Sequence, residues 1–549
     1  MDSNVLSHLR SLLVRCVAPC VIVASGAFLF QGAGRYTVFD DEAFSSRRYV
    51  LPTDELIDAL RHRVEPDPPL YYLAVHAWIR IWGIEPLAMR SLSILFFVAG
   101  LLALRSAAHA WFGPAAARWA LLLCALHPLH LFFGFAARWY ALMFLCSALL
   151  LAASGRIRRA LITGTQPTAS AYLAWVISAA MALYTNYFAP CIVGLTWLAL
   201  WGRSGRDPKH RRSLIVAAAL VVLLYAPWLP TFWHELAAFP RIERSIGAYV
   251  VCAARTATAL ATGNLADPGG LRLDDPGAWW VWLPAAGAAA LLGLLVLQRR
   301  RELAGMLFIA GGSFLAGVVT LSMIDKYVMT FSAAAVLLVA GALAAKCPAG
   351  GAATHAGFGV NGPVIPAGAW RCRSAMLLLA LTWIGCAANL VRERDWSSVR
   401  WLDPFESAVA DVASQRGPND VIVATHPSVR YYCGLLHARH IEGPVSERIA
   451  AWRAAYDSID APSAALAEQL AARQPPPRIW LIETAAIGSD AEALASFVSR
   501  LAPTYLRVQE TRLAPDPAAA RKDRLDPRFV HPTHRIVVKR LDAIDATDE

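Results

Sequence analysis

Apolar runs of about 20 residues recur along this chain, and they restrict its fold more than any other feature. A run of that length, coiled as a helix, crosses the roughly 30 Å hydrocarbon core of a bilayer once. In lipid the backbone polar groups must be satisfied within the segment, so each run reads as a helix. About eleven runs are present. They lie near 12–30, 86–104, 116–134, 139–155, 170–185, 187–201, 213–230, 279–297, 303–321, 328–344 and 374–390. Composition agrees: 57% of residues are hydrophobic and 17% charged, whereas soluble domains are about 45–50% apolar. The expected fold class is an α-helical polytopic membrane protein, which excludes an ordinary soluble enzyme.

The short connections set an expected orientation, because Lys and Arg are retained on the cytoplasmic side. With the N-terminus inside, segments 1–15, 104–118, 156–165, 203–212, 298–302 and 345–373 hold 18 basic residues and three acidic ones, Asp2, Asp207 and Glu302. The opposite connections, 31–68, 127–138, 231–278 and 322–327, hold 11 basic residues against 14 acidic ones. The second set is therefore expected outside a cytoplasmic (inner) membrane. Arg10 and Arg15 before an apolar run also resemble a secretory signal, and cleavage there would leave the next loop outside as well. The net charge of +11 gathers in "RSGRDPKHRR" (Arg203–Arg212) and "QRRR" (Gln298–Arg301). Membrane lipids with anionic headgroups account for it, so no nucleic-acid partner is expected. Cys433 is the only cysteine after Leu390, and no CxxC pair exists, so no disulfide framework is implied.

Two domains are expected. Residues 1–390 form the transmembrane domain, with a polar outer loop at 31–85 whose tail, Leu70–Trp82, is an amphipathic stretch too short to span and suited to lying at the interface. A Gly/Pro/Ala-rich stretch, Pro348–Gly368, reads as a flexible linker on the inner side. From 391 to 549 the apolar runs shrink to strand length in "DVIVATH", "RIWLIET" and "HRIVVKRL", with helix-like stretches between. This is read as a soluble α/β domain on the outer, periplasmic side, placed to select an acceptor. No internal repeat appears, which argues against a transporter built from duplicated halves.

Chemistry concentrates in the outer loop. "FDDEAF" (Phe39–Phe44) puts Asp40, Asp41 and Glu42 beside the first apolar run, where carboxylates are costly to desolvate. Asp41 and Glu42 suit a general base; the alternative is an acidic start to a helix over Ala43–Tyr49. Glu65 and Asp67 add further acids, so the set Asp40, Glu65 and Asp67 is a candidate for orienting an acceptor or holding a divalent cation. No regular ligand spacing identifies a metal. Basic residues at outer span ends are the complement: Arg138, Arg241, Arg244 and Lys326. Arg241 and Arg244 read as snorkelling to headgroups. Arg138 and Lys326 read as an anion site, since the charge bias disfavours them there. Aromatic residues at the same ends, including Trp139, Tyr140, Tyr184, Tyr187 and Trp228, read mainly as interface anchors.

The order of motifs resembles bacterial membrane glycosyltransferases of the GT-C type, related to protein O-mannosyltransferases and to the lipid A aminoarabinose transferase. It runs through "DEAF" (Asp41–Phe44), "DPPLYYLAVHAWIRIWG" (Asp67–Gly83), "MRSLS" (Met89–Ser93), "ARWYAL" (Ala137–Leu142), "ALYTNYFA" (Ala182–Ala189), "APWLP" (Ala226–Pro230) and "DKYVMTFSAAAVLL" (Asp325–Leu338), with a looser likeness in "RDWSSVRW" (Arg394–Trp401). The resemblance implies a GT-C fold. It also implies an inverting transfer of sugar from a polyprenyl-phosphate donor to a lipid, glycan or protein acceptor on the outer face. By position, Asp41 would be the base, with Glu42 beside it. Arg138 and Lys326 would face the phosphate, and Tyr140 would help close the pocket. Many relatives carry His where this chain has Asp67 and Asn186, and Arg where it has Lys326.

Three other readings share these features. A lipid-linked sugar flippase would favour charges buried mid-span, whereas the acids here gather in an outer loop. An enzyme moving a preassembled glycan would carry Trp-Trp-Asp, and "AWWVW" (Ala278–Trp282) lacks the acid. A catalytically silent relative would differ only in activity.

Overall fold

The computed structural model describes residues 3–35, 38, 40–62, 67–204, 207–238, 245–262, 276–320, 325–344, 367–393, 405–424, 426–483, 489–513 and 536–543. In chain order the helices begin with α1 (Ser3–Arg35), α2 (Asp40–Tyr49), α3 (Thr53–Arg61), α4 (Pro69–Trp82), α5 (Pro86–Phe112), α6 (Pro114–Leu126), α7 (Pro128–Phe133) and α8 (Tyr140–Ile162). There follow α9 (Ala169–Leu183), α10 (Ala189–Arg203), α11 (Pro208–Tyr225), α12 (Leu229–Ala238), α13 (Ile246–Thr262), α14 (Pro276–Gln298), α15 (Arg300–Val319), α16 (Met329–Ala344) and α17 (Ala367–Glu393). Beyond these come α18 (Phe405–Gln415), α19 (Pro427–Arg439), α20 (Val445–Asp457), α21 (Ala464–Ala472) and α22 (Ser489–Leu501), with strands β1 (Val421–Ala424), β2 (Ile479–Glu483), β3 (Tyr505–Leu513) and β4 (Ile536–Ala543).

Every one of the eleven apolar runs falls on helix, and proline punctuates them. Proline opens α4, α5, α6, α7 and α11, where its missing N–H costs no helical bond. Asp207 caps α11 by accepting from the Lys209 amide at 3.0 Å. Gly113, at φ 90°, makes the turn between α5 and α6, a conformation that a side chain disfavours. Two expected runs are interrupted. The run at 116–134 breaks into α6 and α7 at His127, because Pro128 cannot continue the first helix. The run at 213–230 passes through a 3-10 turn at Ala226–Trp228 that contains Pro227.

Among the described residues four helices are long and apolar enough to cross a membrane: Pro86–Phe112, Tyr140–Ile162, the continuous run Pro208–Ala237, and Arg300–Val319. Shorter apolar helices cover Ala18–Gly34, Pro114–Leu126, Ala169–Leu183, Leu283–Gln298 and Met329–Ala344.

The chain forms two compact units, and neither is contiguous in sequence. The first comprises residues 1–33, 58–71 and 90–388. Its centre is α8, 83% buried over its apolar window, against 28% for Pro208–Ala237. The latter leaves Val222, Leu223 and Ile215 exposed, as a lipid-facing helix does. Helices α9, α10 and α16 surround α8. Small residues let them approach: a Cβ on Gly155 would stand 2.6 Å from the Trp111 ring, and one on Gly100 2.5 Å from Phe144. Buried polar side chains bond to backbone carbonyls, as Ser147 does to Thr330 at 2.7 Å and Trp111 to Leu151 at 2.8 Å.

The second unit comprises residues 34–57, 72–89 and 389–549. Its sheet has the order β1-β2-β4-β3. Strands β1 and β2 are parallel, with Val421 opposite Ile479, and β4 runs antiparallel to both β2 and β3. Val423, Leu470, Ile479, Leu481, Phe497, Leu501 and Tyr505 form one face's core. Strands β1, β2 and β4 coincide with the three expected apolar runs. Strand β3 was not expected: "YLRVQETRL" is half polar, as suits a strand that, among the described residues, pairs on one side only. The expected linker Pro348–Gly368 falls almost wholly outside the described residues, as does "RDWSSVRW".

Candidate active site

The three acids of "FDDEAF" form the first turn of α2 in the second unit. Carboxylates there face the positive end of the helix dipole, while Arg47 and Arg48 occupy the last turn, so the charge order itself favours the helix. The two readings offered by the sequence thus share one structure: the acids start the helix, and they remain the cluster singled out for chemistry. Glu42 is completely buried and Asp41 half-buried. The side chain of Asp40 lies outside the described residues. Around them Ser45 and Tyr72 share a hydrogen bond of 3.3 Å, the Tyr49 and Tyr72 rings lie 5.4 Å apart, and the Arg48 guanidinium sits 4.1 Å over the Phe44 ring. His76 of α4 donates from Nδ1 to the Tyr49 carbonyl at 2.9 Å and accepts at Nε2 from the Thr53 hydroxyl at 3.1 Å. Burial lowers its pKa; the Tyr49 bond opposes that and the Arg80 charge adds to it.

A second cluster lies within the first unit. Arg138, in the turn before α8, donates to Asp67 at 2.6 Å, and both side chains are only 6% exposed. The sequence assigned Asp67 to an acceptor or cation and Arg138 to a phosphate; the structure brings the two together as a buried ion pair. Asp67 stands two residues before Pro69, so its charge also approaches the N-terminus of α4. The Leu70 amide donates to the Tyr184 carbonyl at 2.9 Å, which joins the "DPPL" segment to "ALYTNY". In that segment Asn186 is buried and accepts from the Phe188 amide at 2.9 Å, closing a local turn. Tyr140 is completely buried, edge-on to Trp139 and Phe133 at 4.7 and 4.9 Å. Trp139 stacks on Tyr327 at 5.7 Å, and Phe188 meets the same ring edge-on at 4.9 Å.

Those rings bring "ARWYAL", "YTNYF" and "DKYVMT" together. Lys326 stands in the 3-10 turn Asp325–Val328 beside Tyr327; its side chain lies outside the described residues, as do Glu65, Arg241 and Arg244. Among the described residues no group of three His, Cys, Asp or Glu side chains could hold a metal ion. Of the three acids singled out for a cation, Asp67 is engaged by Arg138, and the side chains of Asp40 and Glu65 lie outside the described residues.

Sequence reading passed over a third feature of the first unit. A cavity of about 380 Å³ is lined by apolar side chains of α6, α13, α14, α15, α16 and α17, together with His127, His130 and Ser332. His130 lies 3.0 Å from the Ser332 hydroxyl, and His127 bonds the Leu260 carbonyl at 2.6 Å. The signal was available: "HPLH" places two histidines three apart in an otherwise apolar run.

No protein-family model matches this sequence, and no curated protein matches it either. Solved structures do. ArnT from Cupriavidus metallidurans in the apo state superposes with a TM-score of 0.55 at 14% identity, covering 96% of this chain and 98% of that one. ArnT bound to undecaprenyl phosphate gives 0.53 at 14% identity, covering 95% and 97%. The chain has the GT-C glycosyltransferase fold. The resemblance read from the order of motifs, which run from Asp41 to Leu338, is borne out at that level. The superposition covers residues of both units.

Proposed function

We propose that this chain is an inverting membrane glycosyltransferase that moves a sugar from a polyprenyl-phosphate donor to an acceptor, a lipid, glycan or protein, on the outer face of the cytoplasmic membrane. The observation that carries the reading is the match to ArnT over nearly the whole chain, including the form bound to undecaprenyl phosphate. The apolar cavity of the first unit supports it, since its lining suits a prenyl chain. The charge bias of the connections supports about eleven crossings, with the N-terminus inside and residues 391–549 on the periplasmic side.

In this reading Asp41 is the base and Glu42 its neighbour. The acceptor oxygen attacks the anomeric carbon from the face opposite the phosphate, its proton passes to the Asp41 carboxylate, and the bond from carbon to phosphate oxygen breaks with its electron pair on the phosphate. One displacement inverts the anomeric centre. Charge grows on the departing phosphate, so Arg138 and Lys326 stabilise the transition state more than the ground state. Asp67 holds one edge of the Arg138 guanidinium at 2.6 Å and fixes its orientation. Tyr140, edge-on to Trp139 and Phe133, helps to close the pocket. Asp40 and Glu65 are the acids that would orient the acceptor or hold a divalent cation, and Asp67 acts through its pair with Arg138.

Asp41→Asn tests this directly, because it keeps shape while removing charge and basicity. In membranes supplied with radiolabelled undecaprenyl-phosphate monosaccharides, wild type is expected to transfer label and the variant to lose transfer about 100-fold or more. Equal activity of the two would move the base elsewhere.

A further inference from the structure

Helix α2 cannot satisfy the backbone of the residue that leads into it. Val38 lies two positions before α2 and is completely buried, so its N–H and C=O each need a partner. Both partners are side chains of α19. The Val38 amide donates to the Tyr432 hydroxyl at 2.9 Å, and the Ser428 hydroxyl donates to the Val38 carbonyl at 3.0 Å. Ser428 and Tyr432 are four apart, hence on one face of α19, and both are buried. The adjacent Tyr431 donates to the Ile84 carbonyl just beyond α4 at 2.7 Å. One helix of the C-terminal segment thus grips the chain ahead of the acidic helix and again after α4. Its neighbour α20 adds an Arg47–Asp457 ion pair of 3.1 Å on the far end of α2.

We infer that Ser428 and Tyr432 are positioning residues for the carboxylates of α2: the C-terminal segment determines where Asp41 and Glu42 stand, rather than serving only to select an acceptor. The inference rests on the reading of Asp41 as the base. A helix held at its entry by two buried hydrogen bonds has little freedom to translate, and a displacement of about 1 Å at a reacting group can cost about 100-fold in rate. Neither side chain belongs to the acidic cluster, so neither would be found by inspecting the carboxylates alone.

The test uses the full chain in detergent and in membranes, with Tyr432→Phe and Ser428→Ala. Tyr432→Phe removes only the hydroxyl and keeps the ring that meets Tyr431 edge-on at 5.3 Å. Hydrogen exchange is read first: amides of residues 38–49 are expected to exchange about 10-fold faster in each variant, with β1 and β2 unchanged as proof that the unit is folded. Transfer from radiolabelled undecaprenyl-phosphate monosaccharides is read second, with kcat expected to fall about 10-fold and KM for the donor to hold. Unchanged exchange at 38–49 overturns the clamp. Faster exchange with unchanged kcat overturns the positioning role. Full transfer by Asp41→Asn, run in parallel, or no transfer by wild type from any of these donors, overturns the catalytic reading and this role with it, even where the exchange result stands.

Discussion

The ion pairs of the two units sit in different surroundings. In the first, Ser147 and Trp111 bond to carbonyls of neighbouring helices, and the Arg138–Asp67 pair is 6% exposed on both sides. In the second, Arg439 forks onto Glu85 through two bonds of 2.9 Å and reaches Glu406 at 2.5 Å, with these side chains 40–47% exposed. The chemistry of the pairs is the same; the surroundings differ. A charge removed from water is held in place by its partner, whereas a charge in water has a ready substitute. The buried pair of the first unit fixes a local geometry, and the exposed Arg439–Glu85 pair of the second joins residues 354 positions apart.

The sharpest way to break that contrast is to delete one partner of each pair. Asp67→Leu takes the carboxylate at 2.6 Å away from the buried Arg138 charge and should lower stability by about 3–5 kcal/mol, while the double variant Asp67→Leu/Arg138→Leu should recover most of that. Thermal unfolding in detergent reads both; a loss as small as that from a surface pair would mean that water reaches the site. Next in size is packing. Gly155→Ala pushes a methyl into the Trp111 ring and should cost about 1–3 kcal/mol, whereas a Cβ on Gly194 meets nothing within 4 Å. Gly194→Ala should therefore be neutral or stabilising by up to about 1 kcal/mol, and equal losses at both positions would remove close packing as the explanation.

Acid sharpens the comparison from the other side. His76 is buried neutral and its folded pKa lies below the ordinary value near 6.5. Its contribution is fully present above pH 6.5 and is lost as pH falls from there through the folded pKa, because the unfolded chain binds the proton more readily. Unfolding followed from pH 7.5 to 5 should show stability declining below 6.5, and His76→Gln should flatten the decline; an identical slope in the variant would assign it to other groups. The smallest effect belongs to Glu85→Ala. It should cost no more than about 1 kcal/mol, and less in high salt.

Legibility followed the same division. The apolar runs were readable because lipid demands a local, contiguous signal, and each lies on helix; only Pro128 and Pro227 broke the expected continuity. Strands β1, β2 and β4 were readable because each is a short apolar run, and β3 escaped because its polar residues disguise it. Among the candidate functional residues, "FDDEAF", Arg138 and Tyr140 stood out by residue type and place. The pairing of Arg138 with Asp67, 71 residues away, did not, since both also suited separate roles.

By itself, then, the sequence determined a chain of apolar helices, an acidic segment at the head of a short helix, and an order of motifs that the GT-C fold accounts for. These follow from hydrophobic runs, proline positions and charge order, all of which act over a few residues. Only the tertiary structure decided that Asp67 holds Arg138, that Trp139 stacks on Tyr327, and that Ser428 and Tyr432 grip Val38 from 390 and 394 positions away. Such contacts depend on which buried polar groups meet once the chain has closed its long loops, and no local pattern records that.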